Sequence, residues 1–181
     1  MARVVVTPAE VPAPRANPYL VGHETAECEL RRLAEAGRLP HAILLSGPRG
    51  IGKATLAFRL ARFLLAKGAN GESGLGIDPE SGVFHRVAAG GHADLLTVER
   101  AYDPRRRRLR SEIVVDDARE IAQFFRLTAA EGGWRIVIVD GAEEMNRNAA
   151  NALSSPISPV PSMPSIRSSK TAECYPQTAR R

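Results

Sequence analysis

Cysteine occurs only twice in the 181 residues, at Cys28 and Cys174. Neither has a second Cys or a His at ligand spacing, so the sequence offers no zinc site and both are expected as free thiols. No apolar run is long enough to cross a bilayer, and no membrane partner is expected. The first eighteen residues are interrupted by Pro8, Pro12, Pro14 and Pro18, which excludes the continuous apolar stretch of a signal peptide. Cytoplasm is the expected compartment. Collagen, coiled-coil and disulfide-scaffold classes are excluded on the same composition.

Charge is also scarcer on the body than the total suggests. The chain carries a net +5, but Arg167, Lys170, Arg180 and Arg181 against Glu173 place +3 of it after Leu153. A high pI that comes mostly from a tail is weak ground for a nucleic-acid surface on the folded part.

Three stretches differ in character. Residues 1–18 are Pro-rich and aperiodic and are expected as a flexible N-terminal arm, residues 19–153 carry the periodic patterns of a folded domain, and residues 154–181 are expected as a disordered Ser/Pro-rich tail. Serine and proline fill 11 of the 17 positions from 154 to 170, which defeats both helix and central strand. Within the middle stretch, Ala26, Leu30, Leu33 and Gly37 mark a helix from Glu24 and its end. His41–Ser46 reads as a strand. Leu56, Ala57, Leu60, Phe63 and Leu64 form one face of a second helix, with Arg59 and Arg62 expected to face out. Residues 67–82 are glycine-rich and read as a loop. Leu95–Val98 reads as a strand, and Ile113–Val115 as a third strand or a hairpin partner. Asp117 with Glu120 fits a capping box opening a helix with Ala118, Ile121, Ala122 and Phe125 on its face. Ile136–Val139 is four β-favouring apolar residues ending in Asp140, as in a parallel strand buried on both faces. Strands alternating with helices predict an α/β fold.

The chemistry sits in Gly47-Pro48-Arg49-Gly50-Ile51-Gly52-Lys53, placed between a strand and a helix. Glycines let backbone N–H groups converge on an anion, the helix that follows points its positive end at it, and Lys53 reaches the outer phosphates. This predicts a nucleotide, ATP, held by Gly47 to Lys53 with Ala54 and Thr55 opening the helix. Two positions depart from a hydrolysing site. Ala54 stands where a hydroxyl would hold Mg²⁺, and Thr55 is turned about 100° away around the helix. Asp140 is the one metal-directed carboxylate, so Mg²⁺ binding is expected to be weak, and Gly141 stands where a catalytic Glu would orient water. No catalytic residue is assigned, and Glu143 and Glu144 read as solvated acids near a helix N-terminus.

These residues resemble a known family. Arg38-Leu39-Pro40-His41-Ala42 leading into the glycine loop, Ala129-Ala130-Glu131-Gly132-Gly133-Trp134-Arg135, and Asp140 followed by Met145-Asn146-Arg147-Asn148-Ala149-Ala150-Asn151-Ala152-Leu153 resemble the delta prime subunits of the bacterial DNA polymerase III clamp loader, AAA+ proteins, over about 18–153. Ala54 and Gly141 favour delta prime over the ATP-hydrolysing gamma/tau type. The resemblance implies a stator in a ring with gamma/tau and delta, acting with the sliding clamp and primed DNA. Its arginine finger lies in a Ser-Arg-Cys motif that this sequence does not contain, and the family's lid and collar domains have no counterpart here, so a truncated form is expected. It also implies a parallel sheet in the order 5-1-4-3-2 whose fourth strand is encoded beyond Leu153. On that order the strands at His41–Ser46 and Ile136–Val139 lack their common neighbour, and an incomplete, marginally stable AAA+ P-loop domain is expected. An active gamma/tau-type ATPase and a basic nucleic-acid-binding module are the alternatives.

The second alternative rests on Arg105, Arg106, Arg107, Arg108 and Arg110. Five arginines in six positions read either as a solvated loop tip or as a DNA contact. With no aromatic residue interleaved, such a contact reads phosphate and not base.

Overall fold

The computed structural model describes residues 11–68, 74–100, 102–103, 107–110, 112–131 and 133–154. Its elements run α1 (Glu24–Glu35), α2 (Lys53–Leu65), α3 (Gly82–Ala88), β1 (Leu95–Val98), β2 (Tyr102–Asp103), β3 (Arg108–Leu109), α4 (Val115–Arg126), β4 (Ile136–Val139), a 3-10 turn (Ala142–Glu144) and α5 (Arg147–Ser154). Among the described residues no helix is long and apolar enough to cross a membrane.

β1 and β4 pair in parallel, Leu95 opposite Ile136 through Val98 opposite Val139. Side chains alternate across a strand, and both faces of β4 are apolar, so each face takes a helix. Ile136 and Ile138 pack with Phe58, Ala61 and Leu65 of α2 and Val87 of α3. Val137 and Val139 lie with Val98, Ile113 and Ile121, the last on α4. The result is the expected α/β arrangement with helices on both sides of a parallel sheet. A third cluster joins α1 to α2 through Ala34, Leu56, Phe63 and Leu64, with Leu39 and Leu75 from the connecting segments. Each of the Leu, Ile, Val and Phe side chains among them, fully buried, contributes about 1.5–3 kcal/mol.

His41–Ser46 forms no strand. Leu44 is 81% exposed and Ile43 39%, and among the described strands β4 pairs only with β1. The composition suits a strand, but a strand exists only against a neighbour that takes its backbone groups. β4 is likewise only partly covered, since its second edge has no described partner.

Several local expectations are corrected. Ile113 makes an isolated parallel bridge with Met145 and Val115 already belongs to α4, so no strand covers 113–115. α4 opens two residues before Asp117, whose carboxylate instead accepts the Val114 N–H at 2.8 Å from the third helical position. α3 was not anticipated. Ser81 starts it, its hydroxyl accepting the Phe84 N–H at 3.3 Å. Cys28 is disulfide-bonded rather than a free thiol. Cys174, and the tail after Ser154, lie outside the described residues.

Arg59 and Arg62 do not face out. Arg62 is 1% exposed. It donates to the carbonyls of Arg15 at 3.0 Å and Asn17 at 2.7 Å, and its guanidinium lies 4.6 Å from the Phe84 ring centroid. Arg59 pairs with Glu27 and donates to the Pro18 carbonyl. Burial pushes the Arg62 guanidinium down to about 10, the charge of Arg59 adding to the effect; it stays protonated at neutral pH. The described part of the arm, residues 11–18, is thereby tied to α2.

The Ala129–Arg135 segment owes its shape to Asp94. This carboxylate, 1% exposed, accepts the N–H groups of Ala130 at 2.8 Å and Glu131 at 3.0 Å and so sets the turn that feeds β4. His92 beside it is 4% exposed. Its Nδ1 accepts the Asp94 N–H at 3.2 Å, while Nε2 has no hydrogen-bond partner among the described residues and lies 3.8 Å from Glu131 Oε1.

Candidate phosphate-binding site

The loop Gly47–Gly52 runs directly into α2, for which Gly52 is the cap residue at φ 95°. Glycine is required at two points of it. Gly47 has φ 152° and Gly52 φ 95°, and a Cβ on either would come within 2.7 Å of a side-chain carbon, Ile51 Cδ1 and Leu20 Cδ1 respectively. Pro48, Arg49 and Gly50 between them are exposed, as is Ile51.

His23, just before α1, reaches across and donates from Nε2 to the Ile51 carbonyl at 2.6 Å. With Leu20 under Gly52, this makes the segment 20–23 a support for the loop. Neither residue carries a periodic or motif signal that would have marked it in the sequence.

Lys53 turns back over the loop, its ammonium donating to the carbonyls of Gly47 and Pro48, each at 2.8 Å. That leaves the side chain with donor capacity beyond these two bonds. Ala54 is half-buried, and Thr55 is 7% exposed within the core side of α2, so no hydroxyl stands at the start of the helix facing the loop. The N–H groups of a helix's first turn lack intrahelical partners and favour an anion.

Asp140 lies exposed at the end of β4, its N–H donating to the Val98 carbonyl at 2.9 Å. No hydrogen bond or ion pair joins it to residues 47–55 among the described residues. Gly141 after it has φ 88°, and Glu144 is engaged by Arg100 at 2.7 Å. Among the described residues no group of three or more His, Cys, Asp or Glu converges on a point. The opening of α2 and the Lys53 ammonium are the groups here that suit an anion.

The family model for the DNA polymerase III delta subunit matches residues 22–155, a span that contains the loop, its supports and Asp140. The chain belongs to the DNA polymerase III delta subunit family. Within this family's wider relations it is 40% identical to DNA polymerase III subunit delta' of Pseudomonas aeruginosa over 115 residues, covering 62% of this chain and 32% of that protein. It is 31% identical to DNA polymerase III subunit tau of Escherichia coli over 137 residues, 74% of this chain and 19% of that one. It is 33% identical to subunit gamma/tau of Mycobacterium tuberculosis over 134 residues, 74% and 22% of the two chains. The delta prime resemblance drawn from the loop and the Asn-Ala-Ala-Asn-Ala-Leu segment is borne out. The chain spans about a third or less of the length of these relatives.

Proposed function

We propose that this chain acts as a delta prime-like subunit of a bacterial clamp loader, assembling in the cytoplasm with gamma/tau and delta subunits that place a sliding clamp on primed DNA. In this reading it is a largely non-hydrolysing stator. The carrying observation is the glycine loop Gly47–Gly52 running into α2 at a left-handed Gly52, joined to Ala54 and a left-handed Gly141 where a hydrolysing site would need a hydroxyl and a carboxylate. The loop N–H groups and the opening of α2 would hold the phosphates of ATP, with Lys53 exchanging its loop carbonyls for phosphate oxygens. ATP would supply the transferable phosphoryl group; Asp140 alone is left to attract Mg²⁺, and nothing in the loop orients water.

The identity to tau and gamma subunits favours one other reading, an active ATPase of that type. Both are tested by measuring nucleotide affinity and ATP turnover of the 181-residue chain and its Lys53→Ala variant. A charge-assisted contact is worth about 1.5–3 kcal/mol, so Lys53→Ala should weaken nucleotide binding roughly 10- to 100-fold while turnover stays at background in both proteins. Turnover at the rate of an ordinary P-loop ATPase, abolished by Lys53→Ala, would replace the stator reading with the ATPase one.

A further inference from the structure

β4 is covered on its faces and open at one edge. Helices close over both faces, α2 and α3 on one and α4 on the other. Yet only Ile138, 7% exposed, is buried, while Ile136, Val137 and Val139 stay half-buried. The hydrogen bonds show which side is open. Residues of a strand point their backbone groups alternately to its two neighbours. The N–H groups of Ile136 and Asp140 go to the carbonyls of Asp94 and Val98, each at 2.9 Å, so the even-numbered positions face β1. The N–H and C=O groups of Val137 and Val139 therefore point to the other edge, where no described strand lies.

An edge of this kind is ordinarily guarded by a charge, a proline, a bulge or a covering segment. Between Arg135 and Asp140 there is no charge and no proline, and the register with β1 runs without a bulge. His41–Ser46, the other strand-like run, is unpaired and leaves Leu44 81% exposed. After α5 the sequence carries Pro156, Pro159, Pro161 and Pro164, which donate no N–H and suit a strand poorly.

Two copies of β4 satisfy each other. Set antiparallel about a two-fold axis at Ile138, each copy places Val137 opposite Val139 of the other, and the outward N–H and C=O groups exchange hydrogen bonds in both directions. The Ile138 side chains then meet in the closer, non-hydrogen-bonded register. Charge fixes the direction. Antiparallel pairing brings the basic end of one strand, Arg135, to the acidic end of the other at Asp140, whereas parallel pairing would set like charges side by side.

We propose that the free edge of β4 is an interface for a second copy of this chain, joining the two parallel pairs into one continuous sheet. Neither a nucleotide nor a clamp-loader partner takes part, so the interface stands apart from the functional reading above. The full 181-residue chain is followed by sedimentation equilibrium from about 1 μM to about 1 mM, the range of weak to moderate association. Beside it run Val137→Pro, which removes an outward N–H from each copy but spares those that bond β1, and Val137→Ile, which keeps that N–H. Circular dichroism checks that each variant keeps its fold.

The parent should show a reversible, non-covalent monomer–dimer equilibrium. Val137→Pro should weaken it at least about tenfold, through the loss of a hydrogen bond in each half of the interface, and Val137→Ile should dimerise as the parent does. Amide exchange read residue by residue decides independently of the variants. The Ile138 amide should be slow at every concentration, and those of Val137 and Val139 should become slow only as the dimer fills. A chain that stays monomeric to about 1 mM, open-ended growth in place of a dimer, a dimer held by a disulfide, a dimer that folded Val137→Pro leaves intact, or Val137 and Val139 amides that exchange fast in the dimer would overturn the proposal. If Val137→Pro does not fold, the exchange result alone decides.

Discussion

Replacing Gly141 by glutamate would restore the carboxylate that a hydrolysing relative carries after its strand aspartate, and the backbone opposes it. Gly141 sits at φ 88°, and a Cβ added there would lie 2.7 Å from Glu144 Oε2. A left-handed conformation costs a residue with a Cβ about 1–2 kcal/mol. Moving Glu144 aside loosens its 2.7 Å pair with Arg100, both side chains about 30% exposed, which adds at most about 1 kcal/mol. The total of about 1–3 kcal/mol corresponds to a melting temperature lower by about 2–12 °C for a chain of this size. Gly141→Asn separates the two effects, because asparagine tolerates the left-handed region; it should cost under about 1 kcal/mol by the same left-handed argument. Urea and thermal unfolding of Gly141→Asn, Gly141→Ala and Gly141→Glu should rank them in that order. If Gly141→Glu unfolds within about 0.5 kcal/mol of the parent, a surface-type effect, then the backbone is free to change and the strain argument is wrong.

Burial holds the His92 imidazole below its ordinary value, Glu131 pulling the other way. A base whose folded value is depressed contributes stability that is full above about pH 6.5 and is lost as pH falls towards the folded value, at a limiting slope of about 1.4 kcal/mol per pH unit. His92→Gln should therefore flatten the stability loss between neutral and mildly acidic pH in urea melts, and equal slopes in the two proteins would contradict it. Arg62→Met keeps most of the side-chain volume but releases the carbonyls of Arg15 and Asn17. With charge-assisted bonds worth about 1.5–3 kcal/mol each and part of the guanidinium's desolvation recovered, a net loss of about 2 kcal/mol is expected, together with faster tryptic cleavage after Arg15. An unchanged cleavage rate would show that these bonds do not hold the arm.

β4, β1 and α2 were legible because each is a run whose local pattern agrees with its packing: four apolar residues faced by helices on both sides, and a glycine loop opening an amphipathic stretch. His41–Ser46 has the same local quality as β4 and is no strand, since pairing is a property of the partner and not of the run. α3 spans seven residues, too short for a 3.6-residue period to declare itself. Arg59 and Arg62 read as a solvated face because the apolar positions of α2 already defined the opposite one. In the fold α2 is covered by α1, α3, β4 and the arm, and the arginines find carbonyls and Glu27 where water was expected. At the site, the identities from Gly47 to Thr55 were readable, whereas the support from His23 and the return of Lys53 onto its own loop depend on segments brought together only by folding.

The parallel register of β1 with β4 bears on how the chain is made. Leu95 and Ile136 are 41 positions apart, so joining them closes a long loop at an entropic cost of roughly 3 kcal/mol before any pairing is gained. The arm, α1, the phosphate loop and α2 are all encoded before either strand. A ribosome delivering the chain at about 5–20 residues per second would expose these elements for seconds before Val139 emerges. During that interval the α2 face destined for Ile136 and Ile138 has no sheet to cover it. The first half of the molecule is therefore the part that a chaperone, or a nearby apolar surface, meets during synthesis.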